Sequence, residues 1–387
     1  MALPAALEAR GLELIGHCDL GGTGDGMQIM RNGDVLYVGH MGDHGVGTSV
    51  VDVSDLRRPR VRRQLPAPAP ARSHKVQYAD GLLLVNHELF PPRDVPAETG
   101  LAVYDVRRPA EPARIGFLPL EGLGVHRMWW TGGRFAYASA RGRPGIHGAS
   151  LITVDLADPE RPRLHDEWCL PEQRSTEPDP GIRAADRYPS CHHAIVKGDR
   201  AYAGWFDGGV VVLAIDEGHL TLVARLDWTA RAGGHPYTHT ALPLGERDLL
   251  IATDEAIDPD GGGAPKDIHM IDIADELSPR EIVTFPVPEG HRDTRGLRFG
   301  PHNLHEPRPG AYVSDTVVYA TYFSAGLRAY DTSDPMRPRE IASFVPEAPP
   351  GQACAQLNDV LVDAERTIFV TDRHRGGLYI LRHVEET

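Results

Sequence analysis

The sequence predicts an all-β fold, a seven-bladed β-propeller whose ring is closed by an N-terminal strand that completes the last blade. Three observations predict it: a motif that recurs along the chain, pairs of short strands upstream of each copy, and a spare N-terminal strand. Glycine and proline number 41 and 33 of 387 residues, a content typical of many short strands and turns. We expect a single domain over residues 11–383.

The recurring motif is an apolar run that ends in aspartate, followed by a polar turn, a proline, a basic residue and a second apolar run. The aspartates that anchor its five clear copies are Asp52, Asp105, Asp155, Asp272 and Asp331. The third and fourth anchors are separated by 117 residues, and this gap contains a sixth copy, VVVLAIDEGHLTLVARL, with Ala214 in the aspartate position. A truncated seventh copy, GGLYILRHVEET, ends the chain. Self-similarity at such a period indicates a repeat architecture.

Each repeat also contains an upstream pair of strands joined by a tight turn, as in HKVQYADGLLLVNHE and HRMWWTGGRFAYAS. Four strands per repeat is the content of a propeller blade. The last repeat has only three strands, whereas LELIGHCDL at 12–20 resembles the fourth-strand segment PREIASF. Pairing the two ends of the chain would close the ring and leave no large sheet edge exposed.

The apolar-Asp-turn-Pro units resemble LVIVD repeats, a β-propeller family, and the resemblance covers residues 11–383. It implies the fold and leaves the function open, because propellers host enzymes, ligand binders and scaffolds alike.

Composition excludes several classes of function. The chain has 54 acidic and 40 basic residues, a net charge of −14, and no cluster of lysine and arginine that would neutralise nucleic-acid phosphates. No signal peptide and no apolar run of about 18 residues occurs, so we expect a cytoplasmic protein without a membrane partner. The four cysteines form no CxxC pair and are expected to be reduced. Oligomeric state is left open.

One position in the repeats is occupied by histidine in five consecutive blades. His74, His126 and His192 each stand seven residues before the first hairpin turn of their blade, and with longer turns the position holds His239 and His302. The first strand of a propeller blade lines the central channel, so these imidazoles should converge. An all-nitrogen set suits a first-row metal such as copper, iron or zinc, among which the sequence does not choose.

Two questions about this position stay open. His192 and His193 are adjacent, and only one of two successive strand residues can face the channel; register favours His192. The histidines could also be structural, each hydrogen-bonded inside its own blade.

The end of the second strand of each blade returns to the same face. This rim is rich in ionisable groups, namely His40, Asp43, His44, His87, Glu88, Arg141, Asp207, Asp254, Glu255, Tyr322, Asp372, Arg373 and His374. Glu88, Asp254, Glu255 and Arg141 are the candidates for catalytic roles as acid, base or substrate-binding group. The long insertions of the chain fall on this face as well, which is where functional loops gather.

In architecture and in its ring of histidines the chain resembles two enzyme groups. These are the selenium-binding proteins, which include copper-dependent methanethiol oxidase, and the carotenoid cleavage oxygenases, whose iron is held by four histidines. The resemblance implies that the metal ligands come from His74, His126, His192, His239 and His302. One of the five could lie outside the coordination sphere, because the metal must keep one position open for substrate or oxygen. It does not extend to a substrate, because no selenium-binding cysteine motif is evident and aromatic residues make up only 7% of the chain.

We therefore predict a metal-dependent oxidoreductase or oxygenase acting on a small polar molecule. The alternatives are a metal-dependent hydrolase or lyase, with Glu88, Asp254 or Glu255 as base, and a non-catalytic binding scaffold, which would expose an apolar patch on this face.

Overall fold

The computed structural model describes residues 3–42, 44–92, 94–177, 189–228, 236–258, 266–289 and 297–384. Within these ranges the strands form seven four-stranded sheets, which confirms the predicted seven-bladed propeller. The helical content of the same ranges is one 3₁₀ turn, Pro171–Gln173, so none of their helices is long and apolar enough to cross a membrane.

In chain order the first fourteen strands are β1 (Ala6–Arg10), β2 (Leu12–Cys18), β3 (Gly26–Asn32), β4 (Val35–His40), β5 (Val46–Asp52), β6 (Arg60–Pro66), β7 (Val76–Ala79), β8 (Leu82–His87), β9 (Gly100–Asp105), β10 (Ala113–Pro119), β11 (Gly124–Trp129), β12 (Phe135–Arg141), β13 (Ala149–Asp155) and β14 (Arg163–Trp168). The remaining strands are β15 (His193–Lys197), β16 (Arg200–Gly204), β17 (Val210–Asp216), β18 (His219–Leu226), β19 (Thr238–Pro243), β20 (Leu249–Asp254), β21 (Ile268–Asp272), β22 (Arg280–Thr284), β23 (Val317–Thr321), β24 (Leu327–Asp331), β25 (Arg339–Pro346), β26 (Leu357–Val362), β27 (Ile368–Asp372) and β28 (Leu378–His383).

Blades 1 to 5 follow chain order, four consecutive strands each, from β3–β6 to β19–β22. Blade 7 contains β26, β27 and β28, and its outermost strand is β2 from the N-terminus. The pairing of Leu12 with His383 and of Cys18 with Leu378 joins the two ends of the chain. The predicted closure of the ring is therefore confirmed.

Blade 6 departs from the simple repeat. Its regular sheet is β23–β24–β25 with β1 added on the outside, a strand that the sequence analysis did not foresee. The innermost place is taken by an irregular extended segment, whose His302 N–H donates to Thr321 O at 2.9 Å and whose Leu304 bridges Ala320.

The repeated aspartate stabilises a turn and takes no part in the site. Asp52 accepts the N–H of Ser54 at 2.9 Å and its hydroxyl at 2.7 Å, and Asp331 makes the same pair of bonds with Ser333. These bonds, together with a neighbouring arginine, lower the pKa of both carboxyls to about 2. The motif that identifies the fold is thus a side-chain-to-backbone turn at the end of the third strand.

Burial increases from the outer strands towards the channel. The inner strand β26 is buried along its whole length, whereas the outer strand β6 is mostly exposed. Side chains that project from the inner strands are therefore held away from water by the blades around them.

Candidate functional site

Five imidazoles form an arc at one end of the central channel. They are the five predicted histidines, contributed by the innermost segments of blades 2 to 6: His74, His126, His192, His239 and His302. The ring centroids of successive members lie 5.1, 4.9, 3.6 and 4.6 Å apart. The rings touch one another across blade boundaries, so they form a single cluster.

In three of these histidines, Nδ1 has a partner that can only accept a hydrogen bond. The Nδ1–H of His192 donates to the backbone oxygen of His239 at 3.1 Å, and that of His302 donates to the backbone oxygen of Asn358 at 2.7 Å. The Nδ1–H of His126 donates to the carboxylate of Glu88 at 3.0 Å. In each neutral ring the proton is therefore on Nδ1 and the lone pair is on Nε2, the arrangement of metal-binding histidines.

His74 has the opposite arrangement. The amide of Asn86 is oriented by its surroundings, because its Oδ1 accepts the N–H of Lys75 at 2.8 Å and its Nδ2 donates to Val125 O at 2.9 Å. That same Nδ2 donates to His74 Nδ1 at 3.2 Å. The Nδ1 of His74 is thus an acceptor, and the proton of the neutral ring is on Nε2, which lies 3.8 Å from Glu88 Oε2 and has no hydrogen-bond partner among the described residues. Ligand atoms of His74, Glu88 and His126 lie within 4.8 Å of one another, but His74 could bind an ion through Nε2 only after losing that proton.

The tips of His126 and His192 face each other. Their Nε2 atoms are 3.1 Å apart, and the partners of both Nδ1 atoms place a lone pair on each Nε2. Two lone pairs at this distance repel unless a cation lies between or beside them. Two nitrogens that each lie about 2.0–2.1 Å from one tetrahedral ion are separated by roughly 3.3 Å, so the observed geometry fits a shared metal.

His239 extends the pair. Its ring lies against that of His192, its Nδ1 contacts the hydroxyl of Thr240 at 2.7 Å, and its buried Nε2 has no hydrogen-bond partner among the described residues. Ligand atoms of His192, His239 and Glu255 all lie within 4.8 Å of one another. A buried nitrogen without a partner is costly, and a bound ion would remove that cost.

Burial lowers the pKa of all five imidazoles, and it lowers those of His74, His192, His239 and His302 well below the ordinary value. The rings are therefore neutral at pH 7. Neutral imidazole is the form that binds metals.

Glu88 holds one side of the cluster. Arg72 donates to its carboxylate at 2.7 and 3.0 Å, Arg141 donates at 3.2 Å, and His126 donates at 3.0 Å. Burial opposes ionisation of Glu88, but the charges of Arg72 and Arg141 and the hydrogen bond from His126 outweigh it and hold the pKa of the carboxyl well below its usual range. Glu88 is therefore an anion that fixes the orientation of His126.

Glu255 stands on the other side and has fewer partners. Arg298 donates to its Oε1 at 3.0 Å. The Nε2 atoms of His302 and His239 are 3.7 and 3.9 Å from its oxygens, beyond hydrogen-bond distance. Its carboxylate is available to a ligand or to a proton.

A cavity of about 140 Å³ opens beside these groups. The predicted residues that line it are His74, His126, His192, His302, Glu255, Arg141 and Arg373, while His239 and Glu88 lie behind its wall. Met27 occupies the corresponding position of blade 1 and also lines the cavity.

The structure does not bring every predicted residue to the cavity. The carboxylate of Asp254 lies 3.0 Å from His269 Nε2, so the candidate base Asp254 serves a neighbouring contact instead. His40 is held by Asp25 and Ser49, and His87 by Glu98. Asp372 accepts backbone N–H groups of a turn, His44 is exposed, and Asp43 lies outside the described residues. Asp207, Tyr322 and His374 are likewise absent from the described lining of the cavity.

His193 faces a different layer of the channel. Its Nε2 lies 3.1 Å from Glu306 Oε1, and Glu306 also pairs with Arg127 and Arg308. Arg308 in turn lies 3.4 Å from Asp359. This buried ionic layer lies on the channel without lining the cavity, and of the adjacent pair it is His192 that lines the cavity.

Sequence reasoning missed three cationic residues of the site, Arg72, Lys75 and Arg298, which all line the cavity. Arg72 and Lys75 flank His74 in the sequence, and this proximity was the available signal. Burial lowers the pKa of Lys75 to about 7. Arg298 stands in a long insertion, where the sequence shows no register with the blades.

Comparison with known proteins supports the fold. No protein-family model and no curated protein sequence matches the chain, so membership of the LVIVD family stays a prediction. The β-propeller domain of Cps50 (Swd1) from Myceliophteria thermophila is 11% identical with a TM-score of 0.59, over 99% of this chain and 100% of that one. A hypothetical selenium-binding protein from Sulfolobus tokodaii is 12% identical with a TM-score of 0.58, over 98% and 93%. At these identities the likeness shows the propeller fold alone.

Proposed function

We propose that the chain is a metal-dependent enzyme whose ion is held at the end of the propeller channel by His126, His192, His239 and His302. The observation that carries the proposal is the 3.1 Å approach of His126 Nε2 and His192 Nε2, two lone pairs that need a cation. Burial lowers the pKa of both rings and so disfavours a shared proton, which leaves a metal ion as the better occupant.

The leading assignment is copper or iron and an oxidoreductase reaction on a small molecule. Imidazole nitrogens suit copper, iron and zinc, and the described part of the cluster has no cysteine thiolate or group of carboxylates that would select another metal. Bound copper or iron would supply one-electron redox chemistry. The structural neighbour titled a selenium-binding protein has the same fold, which is compatible with this assignment.

The residues of the chain have distinct parts in this proposal. Glu88 and the backbone oxygens of His239 and Asn358 keep the proton of three rings on Nδ1 and so direct Nε2 towards the ion. His74 presents a ring N–H. Glu255 is available as a proton acceptor beside His302, because only Arg298 donates to it among the described side chains.

That position of Glu255 also supports a second candidate, a zinc-dependent hydrolase or lyase in which Glu255 is the base. A Lewis acid next to an available carboxylate is the usual arrangement for such reactions. Metal identity separates the two candidates: copper or iron supports the oxidoreductase and zinc supports the hydrolase.

The test is elemental analysis of the purified protein with matched histidine variants. We expect about one transition-metal ion per chain, and we expect His126→Gln and His192→Gln to lose it. His74→Gln should retain it, since the Nε2 of His74 carries a proton. The exposed His219→Gln is the control for incidental binding.

Two outcomes would contradict the proposal. A parent protein that neither contains a transition metal nor takes one up on titration would indicate a non-catalytic propeller. Loss of the metal in His74→Gln alongside retention in His126→Gln would overturn the assignment of ligands. Far-ultraviolet circular dichroism of every variant shows that a lost metal reflects a lost ligand and not an unfolded chain.

A further inference from the structure

The cavity beside the histidine cluster is positively charged, although the chain as a whole has a net charge of −14. Arg72, Arg141, Arg298, Arg373 and Lys75 all line it. The carboxylates that face these cations are Glu255, which also lines the cavity, and Glu88, which lies behind its wall. Even without Lys75, four arginines meet two carboxylates, so the described walls have an excess of positive charge.

Three of the arginines have a carboxylate partner. Arg72 and Arg141 donate to Glu88, and Arg298 donates to Glu255. The bonds from Arg72 and Arg298 are 2.7 and 3.0 Å long, so the guanidinium groups of these two residues are held in place by their carboxylate partners. The cations that have no carboxylate partner among the described residues are therefore Lys75 and Arg373.

Lys75 is an unusual cation because it is only 2% exposed. Its backbone N–H donates to Asn86, and no described residue forms a hydrogen bond or an ion pair with its ammonium. It lines the cavity beside His74 and His302. Because burial lowers the pKa of Lys75 to about 7, the ammonium and the neutral amine are both present at pH 7, and an anion bound in the cavity would stabilise the ammonium.

Arg373 is the second such cation. Its guanidinium lies 5.6 Å from the centroid of the Phe323 ring, which positions the group. No side chain among the described residues forms an ion pair with it. A guanidinium presents a planar set of N–H donors that matches a carboxylate or a phosphate. Lys75 and Arg373 therefore offer two sets of donors on one cavity.

Part of the remaining wall is apolar. Met27, Met41, Phe206 and Ile257 line the cavity, whose volume of about 140 Å³ accommodates only a small molecule. A ligand that fills this space should have a charged end for the cations and an apolar body for these side chains.

We propose that the cavity binds a small organic anion, whose oxyanion group contacts Lys75 and Arg373 and whose apolar body contacts Met27, Phe206 and Ile257. The inference rests on the proposed function, since it names the class of substrate presented to the metal centre. The chemistry shared by carboxylates and phosphates defines the class, and the experiment distinguishes them.

The test is a titration of the protein as purified with butyrate and with butyramide, its neutral counterpart, followed by isothermal calorimetry. Inorganic phosphate is the third probe. We expect butyrate to bind at least tenfold more tightly than butyramide, and Lys75→Met and Arg373→Met each to weaken butyrate by about 10- to 100-fold. Displacement of butyrate by phosphate would assign the cations to tetrahedral oxyanions; failure of phosphate to compete would assign them to carboxylates.

The matched control is Arg339→Met, which removes an exposed arginine on the outside of a blade and should leave butyrate binding unchanged. Arg373→Lys should recover part of the affinity. Lys75→Met should fold, and its melting temperature should be no lower than that of the parent, because the substitution replaces a buried amine that has no partner among the described residues with an apolar side chain. Equal affinity for butyrate and butyramide, or affinity for butyrate that survives both methionine substitutions, would overturn the inference.

Metal content is measured on the same samples, which separates the two proposals. A parent that lacks metal and cannot be loaded, yet binds butyrate through Lys75 and Arg373, would contradict the proposed enzyme and support the anion site. Variants that keep their metal and lose butyrate support both proposals.

Discussion

Glu88 and Glu255 occupy equivalent positions, directly after the second strand of blades 2 and 5, yet their surroundings differ. Glu88 is 0% exposed and is bound by two arginines and His126, whereas Glu255 is 8% exposed and accepts a hydrogen bond from Arg298 alone among the described side chains. The two carboxylates differ because Arg72 and Arg141 both donate hydrogen bonds to Glu88. One repeat position can therefore hold either a structural anion or an available carboxylate, according to the number of arginines that reach it.

The same contrast extends to the histidines on each side. On the Glu88 side, His126 is hydrogen-bonded to the carboxylate and His74 presents an N–H. On the Glu255 side, His239 Nε2 and the carboxylate stand 3.9 Å apart, near but unbonded. We infer that the Glu88 side provides rigidity and that the Glu255 side provides reactivity.

Removing the carboxylate of Glu88, which accepts hydrogen bonds from three side chains, should have the largest effect on stability. Glu88→Ala leaves Arg72 buried and unpaired and Arg141 without its carboxylate, and should lower the free energy of unfolding by about 3–5 kcal/mol. Urea denaturation at pH 7 measures it. Glu98→Ala in the same blade removes a half-exposed carboxylate and should cost less than about 1 kcal/mol. If Glu88→Ala costs no more than Glu98→Ala, the two sides do not differ as described.

The available carboxylate should instead affect metal binding. Glu255→Gln removes a negative charge whose oxygens lie within 4.8 Å of the ligand atoms of His192 and His239, and should weaken metal affinity about 10- to 100-fold. The free energy of unfolding should change by less than about 1 kcal/mol. Competition with a chromophoric chelator measures the affinity. Unchanged affinity together with a large loss of stability would reverse the roles of the two glutamates.

A partial loss of the Glu88 network should have an intermediate effect. Arg141→Gln leaves Glu88 bonded to Arg72 and His126, and since Arg141 itself is 14% exposed, the substitution should cost about 1 kcal/mol. The measurement is again urea denaturation. A cost of 3 kcal/mol or more would show that Glu88 depends on all its partners at once.

Removing the exposed carboxylate of Asp331 should have the smallest effect on the free energy of unfolding. The bonds to Ser333 and Arg339 lower the pKa of Asp331 from 3.8 to about 2, so their contribution is present above pH 4 and is lost as the pH falls through 2. Because solvent screens this group, Asp331→Asn should cost less than about 1 kcal/mol at pH 7. The difference from the parent should shrink between pH 4 and pH 2, as measured by denaturation at each pH. A difference that grows on acidification would contradict the assignment.

The fold was predictable because its signals are periodic. Each Asp of the repeated motif makes a turn with residues two positions away, as Asp52 does with Ser54, so its sequence alone indicates the turn. The spare strand β2 could be matched to blade 7 by pattern. Strand β1 could not be predicted, because it reaches the outer edge of β25 only once β2 has joined the neighbouring blade 7.

The histidine register was predictable for the same reason, since equivalent positions in successive blades converge on one axis. Asp254 shows the limit of that reasoning. It is adjacent to Glu255 in the sequence, but successive strand residues point to opposite sides, and Asp254 contacts His269 away from the cavity. Register alone did not decide which of the two carboxylates faces the site.

The sequence by itself determined the propeller, the closure of its ring and the set of histidines that meet at the channel, because these follow from local periodicity repeated seven times. Only the tertiary structure decided which ring nitrogen of each histidine is available. It also decided that Glu88 accepts hydrogen bonds from three side chains while Glu255 accepts one, from Arg298 among the described side chains, and that Lys75 and Arg373 share a cavity. Those properties depend on partners in other blades, such as Asn86 for His74 and Asn358 for His302. A side chain's protonation and pairing are set by the atoms around it in space, and residues far apart along the chain supply those atoms.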